Sequence, residues 1–89
     1  KDLAYSKNRQ AQRQDLLNKL KDVPCQDCGN SFPSYCMDFD HVRGEKFMDL
    51  SDMKSRSIQL IMDEAAKCDI VCSNCHRIRT HERKQSKVA

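Results

Sequence analysis

Apolar and polar positions recur with two different periods along this chain, and the changes of period divide it into elements. Leu3, Leu16, Leu17 and Leu20 fall at mostly helical spacing with no Gly or Pro between them. That predicts a helix over 3–22, decorated by Lys7, Arg9, Arg13, Lys19 and Lys21. Pro24 is expected to end it, because the residue before a proline is pushed out of the helical region. From Tyr35 to Asp40 the period drops to two, with Tyr35, Met37 and Phe39 alternating with Cys36, Asp38 and Asp40. A strand there turns the apolar set toward the core and gathers the acids on the other face.

Val42-Arg43-Gly44-Glu45 reads as a turn leading to a short segment at Lys46–Met48. Ser51 or Asp52 can cap a turn, and Ser57 can cap a second helix. In that helix Ile58, Ile61, Met62 and Ala65 make one apolar stripe, expected to be core. Asp69–Cys72 is a short strand, and Asn74 to about Gln85 the last helix. Ile78 is the lone large apolar residue of that helix, so most of it is expected to be exposed. The chain shows no internal repeat.

The two strands with helices before, between and after them describe an α+β chain. A basic N-terminal helix over 1–24 precedes a domain over 25–89. At 89 residues, 38% hydrophobic and 33% charged, the core is thin, and chains this small usually need a staple. Six cysteines are available for one. Cys25-Gln26-Asp27-Cys28 and Cys72-Ser73-Asn74-Cys75 are two C-x2-C pairs, the four thiolates of a closed tetrahedral zinc site. Disulfides are the other use of six cysteines, but C-x2-C spacing favours metal and no signal-like apolar run is present. Gly29 can take a positive φ in the tight turn after the first pair. Cys36 and Cys68 lie outside the pattern and are not assigned to zinc. No stretch approaches membrane-spanning length, so no membrane partner is expected. The chain opens on Lys1 rather than Met, which leaves room for residues upstream.

The net charge of +3 hides an asymmetry. Residues 1–22 carry six Lys/Arg against three Asp, and 76–89 carry five against Glu82 alone. The middle carries five bases against nine acids. Basic ends around an acidic centre suit a nucleic-acid binder with a metal-holding core; basic termini that merely solvate the ends are the plainer reading.

Asp40 and His41 sit at a strand end, and His76 opens a helix, running straight on from the second cysteine pair. A carboxylate and an imidazole suit a divalent cation with open positions. The other imidazole can take a proton from water, because an ordinary histidine titrates near neutrality. Phosphodiester hydrolysis needs a water nucleophile, charge stabilisation and help for the departing oxygen.

At these residues the chain resembles a known family. Cys25-x2-Cys28, Met37-Asp38-Phe39-Asp40-His41-Val42 and Cys68-Asp69-Ile70-Val71-Cys72-Ser73-Asn74-Cys75-His76-Arg77 look like the HNH endonucleases, especially the small phage-type ones, over about residues 25–83. The resemblance implies a ββα-metal core from the strands at 35–40 and 69–72 and the helix after Cys75. It implies a DNA endonuclease that leaves 5′-phosphate and 3′-hydroxyl ends, with zinc structural on Cys25, Cys28, Cys72 and Cys75. Asp40 and His76 match the family's metal ligands for a catalytic Mg²⁺ or Mn²⁺, and His41 matches the general base. The middle asparagine is commonly about nine residues before the last histidine, which is Lys67 here. Asn74 is its stand-in, with turn formation as the other use of that residue.

His81 rivals His76 as the last histidine, but the two lie roughly 140° apart around a helix and do not easily share one metal. Asp38 shares a strand face with Asp40, as an additional or supporting ligand or as a hydrogen-bonded acid. Arg77, Arg79, Arg83 and Lys84 on the last helix are placed to reach the backbone phosphates of double-stranded DNA, giving affinity without sequence choice. One active site nicks one strand, so a double-strand cut needs two copies, as in a homodimer, or two events. By resemblance alone, phage packaging proteins are partners and the cytoplasm of a bacterial host is the location. A non-catalytic zinc module that binds nucleic acid is the rival reading, and a redox C-x2-C protein a third.

Overall fold

The computed structural model describes residues 2–88, with side chains described over 8–85. In chain order these form helix α1 (Asp2–Leu20), strand β1 (Met37–His41), helix α2 (Ile58–Ala65), strand β2 (Cys68–Cys72) and helix α3 (Ser73–Val88). Single 3-10 turns at Ser34–Cys36 and Leu50–Asp52 punctuate the connections. The α+β class expected from the alternating pattern is what the chain adopts. No helix of the described residues is long and apolar enough to cross a membrane.

β1 and β2 pair antiparallel, with Met37 opposite Cys72, Phe39 opposite Ile70 and His41 opposite Cys68. This register sets Asp40 opposite Asp69, an unfavourable pairing of like charges unless a cation bridges it. α3 follows β2 without a break, so Cys75 and His76 emerge in its first turn beside the sheet.

Two small cores flank the sheet. One joins Leu17 of α1, Leu50, Met53, Ile61 of α2 and Cys68, with Leu16, Leu20, Phe39 and Leu60 packed around it. The other is Met37, Val71, Ile70 and the thiols Cys25, Cys72 and Cys75. Its centre is sulfur rather than hydrocarbon.

Local physics accounts for the element ends and for several departures from the pattern. α1 stops at Leu20, before the proline, in a tightened turn where Lys21 N bonds Leu17 O and Asp22 N bonds Lys19 O. The Leu3 side chain lies outside the described residues. Gly29 has φ +76° and Gly44 φ +70°, so the turn assigned to Gly29 does use its freedom. Ser57 caps α2, its Oγ accepting from Leu60 N at 3.2 Å. Tyr35 is not a core residue: it belongs to the 3-10 turn before β1 and is 84% exposed. Of the stripe on α2, Ile61 is buried and Ala65 packs against the core, while Ile58 and Met62 are exposed. The inward position that a wider stripe would have filled belongs to Glu64. Most of α3 is exposed as expected, and Ile78, its lone large apolar residue, is exposed as well.

Candidate metal centre and acid–imidazole cleft

The knuckle after α1 and the turn from β2 into α3 bring Cys25, Cys28, Cys72 and Cys75 together. Their four sulfurs all lie within 4.8 Å of one another. Four sulfurs around one zinc at about 2.3 Å would stand about 3.8 Å apart, so the cluster has the size of a tetrahedral site. Backbone N–H groups point at the sulfurs: Cys72 N donates to Cys25 Sγ at 3.3 Å, Cys28 N to Cys25 Sγ at 3.5 Å and Cys75 N to Cys72 Sγ at 3.4 Å. Burial acts to raise the Cys25 thiol, but the N–H groups of Cys28 and Cys72 outweigh it and bring it down to about 6. Its neighbour Cys75 is pushed up to about 12, by Cys72 first and then by burial and the remaining sulfurs. The negative charge that the neighbouring sulfurs bring to Cys75 is what a divalent cation would neutralise. These four cysteines are a site that can hold a metal such as zinc. Cys36 and Cys68 stand apart from it; Cys68 Sγ donates to Glu64 O at 3.6 Å, and burial raises its thiol to about 11.

Beyond the knuckles, β1 and α3 assemble a second group. His76 Nδ1 lies 3.0 Å from Asp38 Oδ2, and His76 Nε2 lies 3.6 Å from Asp40 Oδ1. An ionised carboxylate only accepts, so the Asp38 contact places the ring proton on Nδ1 and turns the Nε2 lone pair toward Asp40. An imidazole held in this way through one nitrogen can offer the other to a metal.

Asp40 is buried, and two guanidinium groups converge on it. Arg83 donates to Oδ1 at 3.0 Å and Oδ2 at 2.7 Å, and Arg79 to Oδ2 at 2.8 Å. Arg83, opposed by burial and aided by Arg79, holds the Asp40 carboxyl at about 2. Arg79 also forks onto Asp27 at 2.6 and 2.7 Å and reaches Asp69 at 3.1 Å. It is therefore the cation that the facing Asp40–Asp69 pair requires. Of the four basic residues expected to meet phosphate, Arg79 and Arg83 are engaged on the protein's own carboxylates, while Arg77 and Lys84 are exposed. Arg79→Met should cost about 3 kcal/mol, because it leaves buried Asp40 with one guanidinium and Asp27 and Asp69 with none from α3. Urea unfolding of the zinc-loaded proteins measures this; an unchanged midpoint would show the arginine to be dispensable.

His41, at the end of β1, faces the other way. Its Nε2 lies 2.9 Å from Glu64 Oε2 on α2. The same carboxylate accepts from Phe47 N at 2.9 Å, Met48 N at 3.5 Å and Lys67 Nζ at 2.9 Å. Lys67 also donates to Glu45 O at 2.7 Å, and its carbonyl accepts from Val42 N and Arg43 N. Glu64 and Lys67 thus tie down the segment between β1 and the Leu50 turn. Asn74, the stand-in for the family's middle asparagine, is exposed on the first turn of α3.

Asp38, His41 and His76 share one cleft of about 300 Å³, whose other walls are Gln14 and Leu17 of α1, Lys21 just beyond its end, Phe39 and the Asp49–Ser51 segment. Lys21 lies over the Phe39 ring, 5.3 Å from its centroid. Asp40 is buried and does not line this cleft. His81 borders a neighbouring cleft with Asp38, His76, Arg77, Thr80 and Lys84. Sequence reasoning missed Glu64, Lys67 and Lys21. Only Lys67 carried a signal, from its position nine residues before His76. No family model, no curated protein and no solved structure matches this chain.

Proposed function

We propose that the protein is a metal-dependent DNA endonuclease of the HNH type, built on a structural zinc site and a separate hydrolytic centre. The observation that carries the reading is the imidazole of His76, its Nδ1 on Asp38 and its Nε2 3.6 Å from Asp40, opening on the cleft that His41 also lines. A carboxylate and an imidazole are a donor set for Mg²⁺ or Mn²⁺. When bound to Asp40 and His76, such an ion would supply positive charge to a phosphate oxygen and to the departing 3′ oxygen. His41 takes the proton from the attacking water, so that hydroxide forms as the phosphorus is approached. Lys21, Arg77 and Lys84 border the two clefts and give phosphate contacts that carry no sequence preference.

One observation favours a second reading. Both oxygens of Asp40 are occupied by Arg79 and Arg83, as they would be in a non-catalytic zinc module that binds nucleic acid. Plasmid nicking separates the two. The zinc-loaded protein is expected to nick supercoiled DNA on addition of Mg²⁺ or Mn²⁺, and His76→Ala to remain folded and zinc-loaded but inactive at the ion concentration that suffices for the wild type. Salt-sensitive DNA binding with no cleavage under either ion would establish the second reading instead.

A further inference from the structure

Glu64 is 2% exposed, and neither the zinc site nor the Asp40–His76 pair uses it. Three donors converge on its Oε2: His41 Nε2, Phe47 N and Met48 N. Lys67 takes Oε1. The lysine and the two backbone groups fill three of the carboxylate's about four acceptor sites. The additional partner is the one imidazole at the end of β1.

We propose that Glu64 is a positioning residue for His41, accepting from Nε2–H so that Nδ1 is left as the basic nitrogen. This rests on reading His41 as the general base. Burial acts to raise the Glu64 carboxyl, but Lys67, the Phe47 N–H and His41 together hold it down to about 2. The group is therefore a fixed negative charge at neutral pH. When Nδ1 takes a proton from water, one O–H bond breaks and one N–H bond forms, and the imidazolium is produced beside a carboxylate already in contact with it. Glu64 itself takes no proton. The same oxygen holds Phe47 N and Met48 N, next to Asp49 in the wall of the cleft, so one residue contacts both ring and wall segment. The geometry parallels the orienting carboxylate of a hydrolase triad, whose removal lowers turnover by spoiling the tautomer.

Two measurements test this. Long-range ¹H–¹⁵N spectra of the zinc-loaded wild type should show neutral His41 carrying its proton on Nε2; a proton on Nδ1 would overturn the proposal, with no variant needed. In nicking assays Glu64→Gln should lower kcat at least about tenfold while leaving KM for DNA within about twofold and zinc content at the wild-type level. A wild-type kcat in that variant would overturn the positioning role alone. Absence of cleavage by the wild type would instead overturn the nuclease reading, whatever the tautomer.

Discussion

Cys72→Ser is expected to unfold the protein and leave it unable to retain zinc at one ion per chain. Cys72 ends β2, is buried, and accepts from Cys75 N, while its own N–H donates to Cys25 Sγ. It therefore links β2, the first knuckle and α3 at one point. The core around it contains Met37, Val71 and Ile70 and otherwise only the thiols. Apolar burial on that scale does not offset the ordering of the residues around it. Structural zinc contributes apparent free energies of about 10–16 kcal/mol, comparable with or larger than the about 5–15 kcal/mol total stability of an ordinary domain. Serine is nearly isosteric but a poor zinc ligand, so the substitution tests the ligand rather than the packing. Far-ultraviolet circular dichroism and zinc released to a chromophoric chelator report the two outcomes together. A folded Cys72→Ser protein without zinc would show that the thiols are not the staple. Loss of zinc from His76→Ala would join the two centres into one and remove the separation on which the hydrolytic reading stands.

How much of this was legible depended on whether the cause was local. The four-cysteine cluster was legible because a tetrahedral metal site calls for C-x2-C spacing, and Ser57 because a cap needs only its own helix. The facing of Asp38 and Asp40 was legible because a strand has period two. Tyr35 broke that pattern because the chain before Met37 is a 3-10 turn, which has no second face to share. The stripe on α2 misled for a different reason. Ile58 and Met62 turn outward because the inward place is taken by Glu64, whose burial is compensated by His41, Phe47, Met48 and Lys67. Those partners come from β1, the segment after it and the residues beyond α2, so no window of sequence contains the reason. Arg79 is the same case. Its partners Asp27, Asp40 and Asp69 lie in three separate segments, and on a helical wheel it looks like any exposed arginine.

The second large effect is expected at His41. His41→Ala should lower single-turnover nicking about 100- to 10,000-fold, equivalent to about 3–5 kcal/mol of transition-state stabilisation. Affinity for DNA should change little, because the ring belongs to the cleft and not to the basic surface of α3. The fold should survive. The side chain is 14% exposed, and its removal leaves Glu64 Oε2 still accepting from Phe47 N and Met48 N and Oε1 still paired with Lys67. The lost hydrogen bond to a charged acceptor costs about 1.5–3 kcal/mol, visible in urea but tolerable in a zinc-stapled domain. The comparison with His76→Ala gives the measurement its force. If His76 holds the catalytic ion, its loss should be partly overcome by raising Mg²⁺ or Mn²⁺, since weakened binding yields to mass action. The His41 defect should not respond to metal at all, because no concentration of ion replaces a proton acceptor at that position. Equal nicking by His41→Ala and wild type would sink the general-base assignment, and metal rescue of His41→Ala would move that residue from proton transfer to ion binding.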